Sequence, residues 1–197
     1  ETTTMPRLQE AGPNAVVDWV VVELRNKNTP SQVLASRAAL LERDGDVVGT
    51  DGYARLNFNL TNDNYYVAIR HRNHLAAMTA ASVKLDANEA IVDLTLTSTS
   101  TYGTQAQRLM SNNRLALWSG DVSRDGNLRY VGNGNDRDPI LTSIGGIVPS
   151  NTVTGYRLED VDMSGVVKYT GAGNDRDPIL FNIGGSVPTQ VRFQQLP

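Results

Sequence analysis

The residues of this chain best placed to do chemistry are two spaced sets of oxygen donors. Asp121, Ser123 and Asp125 precede Gly126, and Asp160, Asp162 and Ser164 precede Gly165. Alternate oxygen-bearing side chains, followed by a glycine that lets the backbone turn sharply, are what a hard cation such as Ca2+ requires of a loop. The chemistry they point to is coordination. Each set opens a thirty-residue segment, Gly120 to Pro149 and Glu159 to Pro188, and the two segments are identical at 18 of 30 positions at a constant offset of 39. That regularity is an internal repeat.

In a calcium loop of the EF-hand type the first, third and fifth residues give side-chain oxygens, the seventh its carbonyl and the twelfth a bidentate carboxylate. Asp121, Ser123, Asp125 and the carbonyl of Asn127 fit the first four places, as do Asp160, Asp162, Ser164 and Val166 in the second copy. The twelfth place holds Gly132 and Gly171, which have no carboxylate. A few residues on, both copies read NDRDPIL. We therefore expect a lengthened loop closed by Asp136 and Asp175, with Asp138 and Asp177 either sharing that task or capping a following helix. Asp before Pro139 or Pro178 reads as an N-cap with proline at the first helical position, and the helices 139–144 and 178–183 should end on Gly145-Gly146 and Gly184-Gly185. The expectation is two Ca2+ sites. Arg137 and Arg176, flanked by aspartates, read as ion-paired.

Composition removes several alternatives. With a net charge of −3 and no Lys/Arg run, nothing favours nucleic acid or an anionic membrane surface. No cysteine is present, which removes disulfides, thiolate zinc sites and a cysteine nucleophile together. His71 and His74 form an H-x-x-H pair, but on a strand they point to opposite faces, so zinc is disfavoured. No G-x-S-x-G elbow or phosphate-loop lysine accompanies the glycines, and nothing in the sequence brings Glu23 and Asp93 together as a glycosidase pair. No enzyme is expected. The apolar runs are too short to span a bilayer as a helix.

The elements that must position these loops are mostly β. Residues 1–14 read as an extended arm. Val16 to Arg25 is β-branched and apolar on both faces for most of its length, as a buried central strand would be. Val33 to Val48 has helix-favouring residues, yet Asp44-Gly45 between two apolar pairs predicts strand, turn, strand. After a turn at Thr50-Asp51-Gly52, Tyr53 to Leu60 alternates cleanly, and Tyr65 to His71, Met78 to Leu85 and Ala90 to Thr97 supply further strands. About seven short strands at roughly ten-residue spacing predict an antiparallel β-sandwich over residues 15–100. Residues 101–118 read as a connector holding a short helix and a strand, residues 119–188 as the tandem repeats, and residues 189–197 as a tail strand with no evident partner.

The D-V-x-x-D-G-x-[LV] opening followed by a short helix, present as a tandem pair, resembles the duplicated Ca2+-binding segments of type I dockerins. KYTGAGNDRDPIL, with DWVVVELR and YYVAIRHRNHL upstream, is also similar to the C-terminal regions of large secreted surface proteins of gram-negative bacteria. The resemblance implies export to the bacterial cell surface and Ca2+, not a reaction. Two roles are consistent with it, of which the first is the one expected and the second the alternative. One is a structural subunit that self-assembles into a fibre or surface layer, its N-terminal arm or C-terminal tail added as a strand to a neighbour. The other is a binding module that docks onto a surface protein or recognises a glycan in adhesion.

Overall fold

The computed structural model describes residues 2–51 and 55–197. It divides into two compact units, residues 1–71, 77–104 and 196–197 in the first, and residues 72–76 and 105–195 in the second. The fold is mainly β and its ladders are antiparallel. Among the described residues, no helix is long and apolar enough to cross a membrane.

The first unit is organised on strand β1 (Val16–Asn26), paired on one side with β2 (Val33–Glu42) and on the other with β4 (Asp63–His71). The sheet runs in the order β3 (Val47–Gly49), β2, β1, β4, β5 (His74–Met78), with β6 (Val83–Leu85) also paired to β4. β1 is central, as its β-branched sequence predicts, but only one of its faces is core. Val20, Val22 and Leu24 are buried, whereas Val17 and Val21 on the other face are exposed. The Asp44-Gly45 turn forms between β2 and β3, and Gly45 takes φ +101 there, a conformation costly for any residue with a Cβ.

Two expected strands are not found among the described residues. Residues 55–60 and 90–97 make no ladder; the first two residues of the earlier segment, Tyr53 and Ala54, lie outside the described residues, as does Gly52 of the turn before it. Leu56 and Phe58 nonetheless pack against the cluster of Val20, Val22 and Ala39. Their alternation records which side chains face the sheet, not backbone pairing. The expected Met78 to Leu85 strand is split between β5 and β6. In the first unit the described residues form one sheet with irregular segments on its apolar face.

The N-terminal arm is not simply extended. Met5–Leu8 forms a single helical turn, α1, with Pro6 in its first turn. Arg7 is ion-paired with Glu42 and Glu10, and Thr3 Oγ1 donates to the Thr50 carbonyl at 2.7 Å.

In the second unit the expected connector helix is instead a hairpin, β7 (Gln107–Leu109) with β8 (Leu115–Leu117), turned at Asn113 with φ 60. Each repeat then supplies a three-residue strand and a seven-residue helix: β9 (Asn127–Arg129) and α2 (Arg137–Ser143), then β11 (Val166–Lys168) and α3 (Arg176–Asn182). The repeats exchange elements. The strand after the first, β10 (Thr152–Thr154), pairs with β11, and the strand after the second, β12 (Val191–Phe193), pairs with β9. The helices α2 and α3 likewise lie against β11 and β9 respectively. The C-terminal tail therefore has a partner within its own chain, and the structural repeat extends past Pro149 and Pro188 to Thr154 and Phe193.

The core of this unit is doubled apart from one residue. Val122, Leu128, Ile140 and Ile144 are buried together with Val161, Val167, Ile179 and Ile183, each offset by 39 from its counterpart, and Leu75 joins them. Neither repeat can enclose its apolar face alone, because the strand that covers it comes from the other.

Candidate metal centre

Each loop is wound around its first aspartate. Gly120, at φ +116, precedes Asp121 at a point where a Cβ would lie 2.8 Å from Ile179 Cγ1 and Leu128 Cδ2, so the chain enters the first loop where only glycine fits. Asp121 is 5% exposed; its Oδ1 accepts from the Asp125 N–H (3.1 Å) and its Oδ2 from the Gly126 N–H (3.2 Å). In the second loop Asp160 accepts in the same way from Ser164 and Gly165, both at 3.0 Å. Asp125 Oδ1 accepts the Asn127 N–H at 2.8 Å. Ser164 Oγ lies 3.3 Å from the Val166 carbonyl, to which it donates.

Asp136 and Asp175 reach the loops from the start of α2 and α3, and both are fully buried. Asp136 accepts the N–H groups of Ser123 (2.9 Å) and Arg129 (2.8 Å), while Asp175 accepts those of Val161 (2.6 Å), Asp162 (3.2 Å) and Lys168 (2.8 Å). These residues also donate their own N–H groups to the Arg129 and Lys168 carbonyls. The expected closing residues thus enter both loops.

Two acidic clusters in the structure could hold a metal ion. In Asp160, Asp162 and Asp175 one carboxylate oxygen from each lies within 4.8 Å of the others; Glu42, Asp44 and Asp46, at the turn between β2 and β3, meet the same measure. In the latter, Glu42 is already paired with Arg7. In the first loop Asp121, Asp125 and Asp136 act on one another electrostatically: burial above all, then the Asp136 charge and more weakly that of Asp125, push the Asp121 carboxyl up to about 6. Asp136, Asp160 and Asp175 are likewise raised, chiefly by burial, with the Arg72 guanidinium partly offsetting the effect at Asp160. Buried carboxyl groups whose ionisation is disfavoured by burial, grouped with further side-chain oxygens, fit a divalent hard cation, whose charge would offset their desolvation.

Asp138 and Asp177 are elsewhere. Their side chains are 63% and 64% exposed, and each is in a reciprocal cap with the asparagine three residues before. Asn135 Oδ1 accepts the Asp138 N–H (2.9 Å) while its Nδ2 donates to Asp138 Oδ2 (2.8 Å), and Asn174 does the same with Asp177 at 3.0 and 2.7 Å. The helices accordingly start at Arg137 and Arg176, before the prolines, and the capping side chains are asparagines that the spacing argument passed over. The pattern N-x-x-D was the available signal. Arg137 and Arg176 lie 3.6 Å from Asp138 and Asp177 and over the Tyr130 and Tyr169 rings at 5.2 and 5.1 Å.

Arg72 was not legible as part of the site. Its Nη2 is 3.8 Å from Asp160 Oδ2, its Nη1 donates to the Arg157 carbonyl, and its guanidinium lies 4.5 Å from the centre of the Tyr156 ring. The two histidines serve different partners, His71 facing Asp18 at 3.0 Å and His74 facing Asn73 at 2.8 Å. Glu23 is tied to Arg25 and Arg70, and Asp93 to Thr95. A cavity of about 380 Å³ lies against the apolar face of the first unit's sheet, lined by Val22, Leu24, Tyr65 and Val67. Comparison with family models, curated proteins and solved structures finds no match to this chain.

Proposed function

We propose that this chain is an extracellular calcium-binding module whose second unit is held in shape by two Ca2+ ions, and that it acts as a dockerin-like docking or recognition domain at a cell surface. The observation that carries the reading is the recurrence, at a constant offset, of two buried carboxylates per loop, Asp121 with Asp136 and Asp160 with Asp175. Asp125 and Ser123 in one loop, and Asp162 and Ser164 in the other, add further oxygens. Such a donor set suits Ca2+, which takes six to eight oxygens in flexible geometry, better than Zn2+, which prefers nitrogen and sulfur.

The test is thermal unfolding with Ca2+ and with a chelator. An ion that binds only the native state stabilises it by about 2.7 kcal/mol at 100 times its Kd. The melting curves are expected to separate, and coincident curves would refute the calcium reading.

A docking role is favoured over strand donation because both chain ends are engaged at home: β12 pairs with β9, and Arg7 and Thr3 bind Glu42 and Thr50. The Ca2+-loaded protein should therefore sediment as a monomer at high concentration and form a one-to-one complex with a surface protein or glycan. Concentration-dependent polymers would restore the self-assembling fibre or layer instead.

A further inference from the structure

We propose that Asn73 couples the two calcium loops, so that an ion in one raises the affinity of the other. The inference rests on the calcium reading above.

Asn73 is completely buried and its hydrogen bonds divide between the repeats. Its main-chain carbonyl accepts from the N–H groups of Gly120 (2.8 Å) and Asp121 (3.0 Å), at the entrance to the first loop. Its side-chain Nδ2 donates to the carbonyls of Leu158 and Asp160, both at 2.8 Å, at the entrance to the second. Asn73 Oδ1 faces His74 Nδ1 at 2.8 Å, so a protonated Nδ1 orients the amide with its two donors toward the second loop.

The two entrances offer opposite chemistry at nearly equivalent positions, N–H groups from the first repeat and carbonyls from the second. Asparagine can answer both because it carries a main-chain acceptor and a side-chain amide with two donors. It thereby holds the main chain of the first-position aspartate in each loop. Arg72, beside it, pins the same turn to the second loop through Asp160 and the Arg157 carbonyl.

An ion that fixes the Asp121 carboxylate also fixes the main-chain N–H bonded to Asn73. The Asn73 amide then holds the Asp160 main chain in the position the second ion needs. Part of the ordering cost of the second loop is met when the first is filled, which is positive coupling between sites. The exchanged strands and shared core offer a second route, so the test must separate the two.

Ca2+ titrations of the intact protein, followed by calorimetry and by the Gly126 and Gly165 amide resonances, make that separation. In the wild type both resonances should move over one common, sigmoidal range. Asn73→Asp keeps the carbonyl and the acceptor but lacks both donors. It should still bind two ions, with the two ranges parted and the coupling reduced by roughly fivefold or more. A common sigmoidal range retained in Asn73→Asp overturns the proposal in favour of the core route. Two independent sites in the wild type overturn it while leaving the calcium reading intact; no binding at all removes both. Should Asn73→Asp not fold, Asn73→Ala, which keeps the main-chain carbonyl and lacks the amide donors, is expected to part the two ranges in the same way, and a common sigmoidal range retained there overturns the proposal.

Discussion

The two units satisfy their backbones by different means. In the first, β1 runs for 11 residues and its N–H and carbonyl groups pair with neighbouring strands on both sides. In the second, β9 and β11 have 3 residues each, and many of the loop N–H groups end on carboxylates, those of Asp121, Asp136, Asp160 and Asp175. A sheet ladder is neutral and closes on itself. A carboxyl group that accepts two or three N–H groups organises a loop just as firmly, but it is buried in doing so, and once ionised its charge has to be met. Dependence on a cation should therefore be a property of the second unit alone.

The largest test of that contrast is a core truncation in each unit. Ile179→Ala and Leu40→Ala both empty fully buried positions and should each cost about 2–5 kcal/mol. If the units melt separately, differential calorimetry will show each substitution lowering a different transition, and Ca2+ will raise only the one lowered by Ile179→Ala. Chelation comes next, removing about 2.7 kcal/mol per ion from the second transition at an initial 100 times Kd and leaving the first in place. An equal fall in both transitions would break the distinction.

The caps are a smaller lever. Asn135→Ala or Asn174→Ala removes the side chain that binds the Asp138 or Asp177 N–H, with an expected cost of about 0.5–2 kcal/mol, read as a fall in the second transition even at saturating Ca2+.

Acid should move the second transition in opposite senses with and without Ca2+. The Asp121 carboxyl is raised from 3.8 to about 6, so the folded form holds its proton more tightly than the unfolded chain does. The stability this contributes is complete below pH 3.8 and is lost as pH rises through about 6. Without Ca2+ the second transition should rise as pH is lowered from 7 to 5; with saturating Ca2+, which requires the ionised carboxylate, it should fall. Melting in chelator that is flat across that range would contradict the raised value. The exposed Arg55–Glu89 pair of the first unit is the weakest test, since Arg55→Ala should change stability by no more than about 1 kcal/mol, measured by denaturant unfolding.

Legibility followed the range of the interaction. The Asp44-Gly45 hairpin, the strand ending at His71 and the double glycines after α2 and α3 are local, and their residue types state them. The pattern in Leu56 and Phe58 identified a core-facing side but not the absence of a ladder, because alternation specifies facing and a strand also needs a partner. In the segment from Gln105 to Trp118 the expected strand forms as β8, but the expected helix does not, for a related reason. Its Leu109, Leu115 and Leu117 suit either period, and the Asn113 turn decides for a hairpin.

For the candidate site, the sequence by itself determined the oxygen donors, their spacing and their duplication, since each loop is wrapped on its own first aspartate through bonds to residues only four or five places on. Only the tertiary structure decided that Asp138 and Asp177 turn away, that the tail pairs with β9, and that Arg72 and Asn73 reach the loops from a distant hairpin. Those contacts join residues up to 88 positions apart, as Arg72 and Asp160 are, and no local propensity records a partner at that separation. They arise because neither repeat can cover its own apolar face, and the elements that do so come from elsewhere in the chain.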